Sequence, residues 1–207
     1  VADNSVADNS VADGRQELVA ATANPDKVVE LTDALGPDIV MLARPASVPD
    51  VVEDADTLVG NARLKAVAIV EATQKPSLAD DTGLEVDALD GRPGVWSARY
   101  AGVDATYETN VAKLLEELAD TPNEERGAQF RTVIVVLWPD GREIVVEGSV
   151  RGTIARVRTG DAGFGYDPVF VPDDGDGRSF AEMTVAEKRL ISHRGRAVTA
   201  LKQALSI

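Results

Sequence analysis

Apolar residues follow two rhythms along the chain. Leu18-Val19-Ala20-Ala21 is a short continuous apolar run, the pattern of a buried strand, whereas Val28, Leu31 and Leu35 recur at helical spacing. Between them lies Thr22-Ala23-Asn24-Pro25-Asp26-Lys27, in which Asn24 reads as a helix N-cap, Pro25 as the first helical residue, and Gly36-Pro37 as the later stop. Asp38 to Leu42 predicts a second strand and the region near Leu58 to Thr73 a second helix. Ser77-Leu78-Ala79 predicts a strand running into Asp80-Asp81.

The second half changes character. Leu84 to Leu89 alternates before Asp90-Gly91, and Gln129 to Trp138 and Arg142 to Val150 are β-rich runs joined by Pro139-Asp140-Gly141, a hairpin signal. Helical periodicity returns from about Tyr107 to Ala119 and from Ser192 onward, and Thr184 with Glu187 makes a capping-box pattern. The sum predicts an α/β fold with a mixed sheet. Residues 1–14 repeat Val-Ala-Asp-Asn-Ser and carry too little apolar surface to bury, so they are expected to form a disordered tail ahead of one folding unit over 15–207.

Composition narrows the chemistry. With 207 residues and 44% apolar content the chain can bury its own core, and the lack of cysteine removes disulfides, thiolate metal sites and thiol nucleophiles. A net charge of −14 argues against binding to nucleic-acid backbone, while leaving room for a small phosphate-bearing substrate held by local cations. No apolar run reaches the ~18 residues of a membrane span, and no signal-peptide pattern opens the chain, so no membrane association and a cytoplasmic location are expected.

Four segments carry candidate chemistry. The turn at Thr22 to Lys27 places a helix N-terminus and an ammonium where a phosphate could sit, although any α/β protein has capped helices of this kind. Asp80 and Asp81 are adjacent acids at the end of an apolar run, with side chains on opposite sides of the chain. They read either as ligands that a hard cation would relieve of repulsion or as a solvated loop. In Phe164-Gly165-Tyr166-Asp167, glycines flank an aromatic face on which a base could stack; turns with core-anchoring aromatics look similar. Lys188, His193 and Arg194 gather three potential cations, two of them in the first turn of a helix capped by Ser192. That placement calls for an anion, either a ligand phosphate or a protein acid.

In order and wording these segments resemble the inosine/xanthosine triphosphate pyrophosphatases. The resemblance runs from Leu18 to Leu205 through Ala21-Thr22-Ala23-Asn24-Pro25-Asp26-Lys27, Ala79-Asp80-Asp81-Thr82-Gly83-Leu84-Glu85-Val86, Pro93-Gly94-Val95-Trp96-Ser97-Ala98-Arg99-Tyr100-Ala101-Gly102, Phe164-Gly165-Tyr166-Asp167-Pro168 and Ser192-His193-Arg194-Gly195. It implies an elongated mixed sheet flanked by helices, two lobes with the active site in the cleft between them, and a homodimer. The implied reaction is Mg²⁺-dependent hydrolysis of ITP, dITP and XTP to monophosphate and pyrophosphate.

Carried over by position, Thr22, Asn24 and Lys27 hold the triphosphate, Glu53 and Asp81 bind Mg²⁺, and the catalytic acids are Asp81, also the proton acceptor, and Asp80 as its supporting acid. Phe164 stacks on the purine in a loop with Gly165 and Tyr166, and Asp167, Lys188, His193 and Arg194 complete recognition. Two departures stand out. Thr82 replaces the family's usual serine and keeps its hydroxyl. Around Glu53 the family tends to paired glutamates ahead of a phenylalanine, where this chain has Val52 and Leu58. A pyrophosphatase for modified pyrimidine triphosphates and a non-catalytic nucleotide-binding regulator are the alternative readings.

Overall fold

The computed structural model describes residues 15–207, so the repeat expected as a tail lies outside the described residues. Strand β1 (Gln16–Ala20), helix α1 (Pro25–Leu35), β2 (Ile39–Leu42) and α2 (Leu58–Thr73) come first, followed by β3 (Ser77–Val86) and the short β4 (Pro93–Gly94). Then follow α3 (Tyr107–Glu117), the long hairpin β5 (Gly127–Leu137) and β6 (Glu143–Ile154), β7 (Phe170–Pro172), α4 (Val185–Ile191) and α5 (His193–Leu205). The strands form one seven-stranded mixed sheet in the order β2-β1-β3-β5-β6-β7, with β4 also on β3. β1 is parallel to β2 and β3; the remaining pairs are antiparallel.

The start of the fold follows local chemistry closely. Asn24 caps α1 by accepting from the amides of Asp26 and Lys27, and Gly36 ends it at φ 69°, a left-handed conformation open to glycine. Thr57 caps α2, and the capping box of Thr184 and Glu187 opens α4.

The central strand differs from the expectation. The acids do not follow a strand that ends at Ala79; β3 runs on through Asp80, Asp81, Thr82 and Gly83 to Val86. Pairing with β5 is unbroken from Ser77 opposite Leu137 to Val86 opposite Ala128, so one edge of the strand is paired along the whole run. Gly83 belongs there because a Cβ would meet the carbonyl oxygen of Gly94 at 2.8 Å, where β4 comes in close.

That pairing has a topological result. Since β5 takes one edge of β3 entirely, β1 and β4 share the other: β1 covers Ser77 and Leu78, and β4 covers Leu84 and Glu85. Between them, residues 79–83 have no strand on that edge among the described residues. The acid pair thus sits at a gap in the sheet, beside the C-terminal end of β1, the place where open α/β sheets bind ligands.

Alternation along β3 assigns its side chains to different layers. Ala79 faces α2, in a cluster with Leu58, Ala62, Ala66 and Ile69. Leu78 faces the other way, toward Leu31 and Leu35 of α1 and Ala197, Val198 and Leu201 of α5. Leu84 and Val86 enter a third cluster with Phe130, Phe170, Phe180 and the α3 residues Val111 and Leu114. Full burial of a leucine such as Leu31 or Leu35 contributes roughly 1.5–3 kcal/mol, enough to fix which face of α1 points inward and hence where Lys27 goes.

Candidate active site

Asp80 and Asp81 inherit the layer of their neighbours. Asp80, on the α1 and α5 side, is fully buried, with Oδ2 3.2 Å from Lys27 Nζ and 3.3 Å from Arg194 Nη2. Burial alone would raise its pKa, but the pull of Lys27, Arg194 and Lys65 outweighs it and holds the carboxyl well below the usual carboxylate range. Asp81, on the α2 side, meets Lys65 at 3.2 Å and the Asn61 amide at 3.3 Å. Burial, reinforced by the Glu53 and Asp80 carboxylates, pushes Asp81 up against Lys65 and Lys27. Two adjacent acids thus have opposite proton affinities.

A cavity of about 370 Å³ opens over the gap in the sheet. Every site residue expected from the sequence lines it except Asp80, which is sealed beneath by Lys27 and Arg194. Asp80 therefore anchors Lys27 and Arg194, both of which line the cavity. Thr82 is oriented by Thr132, whose hydroxyl lies 2.7 Å away, and receives Arg194 Nη2 at 3.2 Å.

At the start of α1 the backbone amides are already occupied by side chains. Asn24 Oδ1 takes the amides of Asp26 at 2.9 Å and Lys27 at 3.3 Å, the Thr22 hydroxyl takes that of Asn24 at 3.1 Å, and Pro25 has none. A neat helix cap and an open ring of donors compete for the same groups. What this terminus offers an anion is its dipole and Lys27, a largely covered ammonium whose pKa is lowered by desolvation despite Asp80.

Also lining the cavity, Phe164 is half-buried and its amide donates to Asp167 Oδ2 at 2.9 Å, which fixes the loop. Asp167 also holds Lys188 at 2.6 Å. Lys188 and Arg194 lie 5.2 and 5.5 Å from the Phe164 ring centroid, within cation–π range. The anion demanded by the first turn of α5 proves to be a protein acid: Glu30 of α1 accepts from Lys188 at 2.6 Å and from Arg194, and these cations outweigh burial to keep its pKa low. His193 adds no charge. Burial first, and then Arg194, Lys188 and Lys27, drive its pKa well below 6.5, and its ring stacks on Phe130 at 4.5 Å and 14°.

Glu53 lines the cavity beside Asp81. Lys65 Nζ lies 3.0 Å from Glu53 and 3.2 Å from Asp81, so the two carboxylates already share one cation. The Glu53 segment is fastened by Arg99, which donates to its carbonyl, and by Asn61, whose Oδ1 accepts from Ala55 at 3.0 Å. Two hard oxygen ligands beside an open cavity suit Mg²⁺, which takes one or two carboxylates and completes its shell with phosphate and water. Among the described residues no three acids, histidines or cysteines form a closed metal cage.

Lys65, Asn61 and Glu30 were not singled out from the sequence. A signal existed: Leu58, Asn61, Ala62, Lys65, Ala66 and Ile69 fall on one helical face, so Asn61 and Lys65 had to point inward with the apolar residues. An inward lysine needs a carboxylate, and Asp81 was available.

Residues 18–204 match the profile of the Ham1 family. Among curated relatives, the dITP/XTP pyrophosphatase of Streptomyces coelicolor is 44% identical over 189 residues, covering 89% of this chain and 94% of its own. That of Thermus thermophilus is 47% identical over 193 residues, covering 91% of each. Among solved structures, a HAM1 protein from Coxiella burnetii superposes with a TM-score of 0.83 at 38% identity, over 92% of this chain and 98% of that one. No helix among the described residues is long and apolar enough to cross a membrane.

Proposed function

The chain belongs to the Ham1 family, and from that premise we propose that it hydrolyses the non-standard purine nucleoside triphosphates ITP, dITP and XTP to the monophosphate and pyrophosphate. The observation that carries this reading is the polarity of the cavity: an aromatic wall at Phe164 at one end, and Lys27, Lys65 and Asp81 gathered at the gap in the sheet at the other. A flat base fits the first and a polyphosphate the second.

In this reading Asp81 takes a proton from the water that attacks the α-phosphorus; a carboxylate whose proton affinity is raised by burial is a better acceptor than an exposed one. Lys65 holds Asp81 in place and Asn61 fixes its second oxygen. Lys27 and the α1 dipole offset charge on the departing pyrophosphate. Glu53 and Asp81 would hold Mg²⁺, which when bound polarises phosphate oxygens. We place Thr22, Asn24 and Thr82 along the phosphates and Gly165, Tyr166 and Asp167 behind Phe164.

In this reading base choice falls to Arg194, which lines the cavity 5.5 Å from the Phe164 ring centroid and, as a guanidinium, only donates. A 6-carbonyl would accept from it and the 6-amino group of ATP would not, and a site built around such a donor can reject its mismatch by ~10⁴-fold or more. GTP shares the carbonyl, so this group separates ITP from ATP only. The same reading has the protein acting as a cytoplasmic homodimer, without nucleic-acid or membrane partners, through the described residues as one two-lobed unit.

The test is pyrophosphate release from ITP, dITP, XTP, ATP, GTP and a modified pyrimidine triphosphate, with and without Mg²⁺. ITP, dITP and XTP turnover far above that of ATP, and only with Mg²⁺, is expected. Comparable efficiency on ATP overturns the assignment.

A further inference from the structure

Tyr107 belongs to none of the segments that suggested the function, yet it touches two of them. It is the first residue of α3 and is 42% exposed at the cavity lining, a position where a tyrosine is ordinarily free to rotate. Here it is fixed at both ends. Its hydroxyl accepts from Asn24 Nδ2 at 2.8 Å and donates to Asp26 Oδ2 at 3.1 Å, while its ring lies 5.7 Å from that of Phe164 at an interplanar angle of 38°.

These contacts join elements that have no other reason to move together. Asn24 and Asp26 begin α1, behind which lies the cluster of Leu31 and Leu35; α3 is anchored by Val111 and Leu114 in the separate cluster around Phe130. The hydroxyl also decides what Asn24 does. By engaging Nδ2 it leaves Oδ1 aimed at the amides of Asp26 and Lys27, the conformation that caps the helix. One side chain thereby sets the phosphate end of the cavity and lies against the base end.

We propose that Tyr107 is a substrate-positioning residue, its ring forming an aromatic wall with Phe164 for the base and its hydroxyl holding the Asn24 end of the phosphate seat in register with that wall. The proposal rests on the purine triphosphate reading above. A tyrosine suits both tasks, since a rigid ring offers stacking area at small entropic cost and the hydroxyl gives it a fixed direction.

Two variants separate the parts. Tyr107→Phe keeps the ring and removes the tie; Tyr107→Leu removes both and keeps an apolar side chain at the helix start. Binding of IMP and of inorganic tripolyphosphate is measured by titration calorimetry, together with kcat and KM for ITP and the melting temperature. The phenylalanine variant is expected to bind IMP within about twofold of wild type and tripolyphosphate several-fold more weakly. The leucine variant is expected to lose at least about fivefold in IMP affinity, the low end of what a base–aromatic contact contributes, with the loss in KM exceeding that in kcat. Wild-type affinities in the leucine variant overturn the proposal. So does an equal loss for both ligands in both variants that tracks a fall in melting temperature, since that marks a structural tyrosine. A wild-type chain that binds tripolyphosphate but not IMP, and turns over no purine triphosphate, overturns the purine reading and this inference with it.

Discussion

Asp80 and Asp81 are consecutive residues whose carboxylates look into different layers of the molecule, Asp80 toward Lys27 and Arg194 and Asp81 toward Lys65 and Asn61. The pleat of one strand thus turns a pair of like charges into two separately compensated sites. Their roles part accordingly: one anchors cations, the other faces the cavity.

Replacement of Asp81 tests the second role. Its ionised form is less favourable in the folded chain than in the unfolded one, because its pKa is raised, so Asp81→Asn should melt at or above the wild-type temperature in EDTA. Turnover of ITP with saturating Mg²⁺ should fall at least ~10²-fold, the low end of what a positioned base supplies. Near-normal turnover would move the catalytic carboxylate to Glu53, and unfolding would make the residue structural.

Lys65 gives a test of the metal site that needs no turnover. In Lys65→Met the carboxylates of Glu53 and Asp81 lose their shared ammonium. The variant should melt below wild type in EDTA, and Mg²⁺ should raise its melting temperature by more than it raises that of wild type. A Mg²⁺ response no larger than wild type's would place the metal elsewhere.

Glu30 should matter for stability out of proportion to its place on a helix surface. It neutralises both Lys188 and Arg194, and Glu30→Gln leaves two buried cations with fewer anions, a defect costing roughly 3 kcal/mol by analogy with other broken buried pairs. For a chain of this size that is a fall of about 6–12 °C in melting temperature. A fall below about 2 °C would show that Asp80 and Asp167 suffice.

His193 predicts a pH dependence with a definite sign. The unfolded chain takes up a proton on this imidazole as pH falls through about 6.5, whereas the folded chain, with its pKa driven well below that, does not. Its contribution is therefore fully present above pH 6.5 and is lost as pH falls toward the folded value. Between pH 6.5 and 5 the stability of wild type should decline with a slope approaching about 1.4 kcal/mol per pH unit. As this is the only histidine in the chain, His193→Gln should lack that slope whatever its absolute stability. Equal slopes in chemical denaturation would mean that His193 is charged in the fold.

How much of this was legible beforehand varies with the kind of signal. The α1 cap, the bounds of α2 and the hairpin around Pro139-Asp140-Gly141 follow from local rules, and the structure repeats them. The extent of β3 was not legible, because Asp-Asp-Thr-Gly has turn composition and becomes strand only through β5 on one side and buried cations on both faces. The place of Glu53 at the cavity had no local signal, since its neighbours depart from the family pattern. Lys65 was legible from the buried face of α2 it shares with Ala62, Ala66 and Ile69, whereas Glu30 is only partly buried and looks like surface until its partners Lys188 and Arg194 are known. Tyr107 could not be found from the sequence at all, as its partners Asn24 and Asp26 lie 83 and 81 residues away.

The gap on one edge of β3 also bears on how such a chain can change over time. Substitutions along this strand change packing one layer at a time, so a new side chain at position 81 meets α2 rather than α1 and α5. The gain or loss of a single residue before Asp80 is of another order. With ten consecutive pairs to β5 on one side and β1 and β4 fixing the two ends of the other, a one-residue slip would exchange the layers of Asp80 and Asp81 and set Leu78 and Leu84 against the wrong helices. Descendants of this sequence can be expected to vary in length within their loops and to keep the length of this strand unchanged.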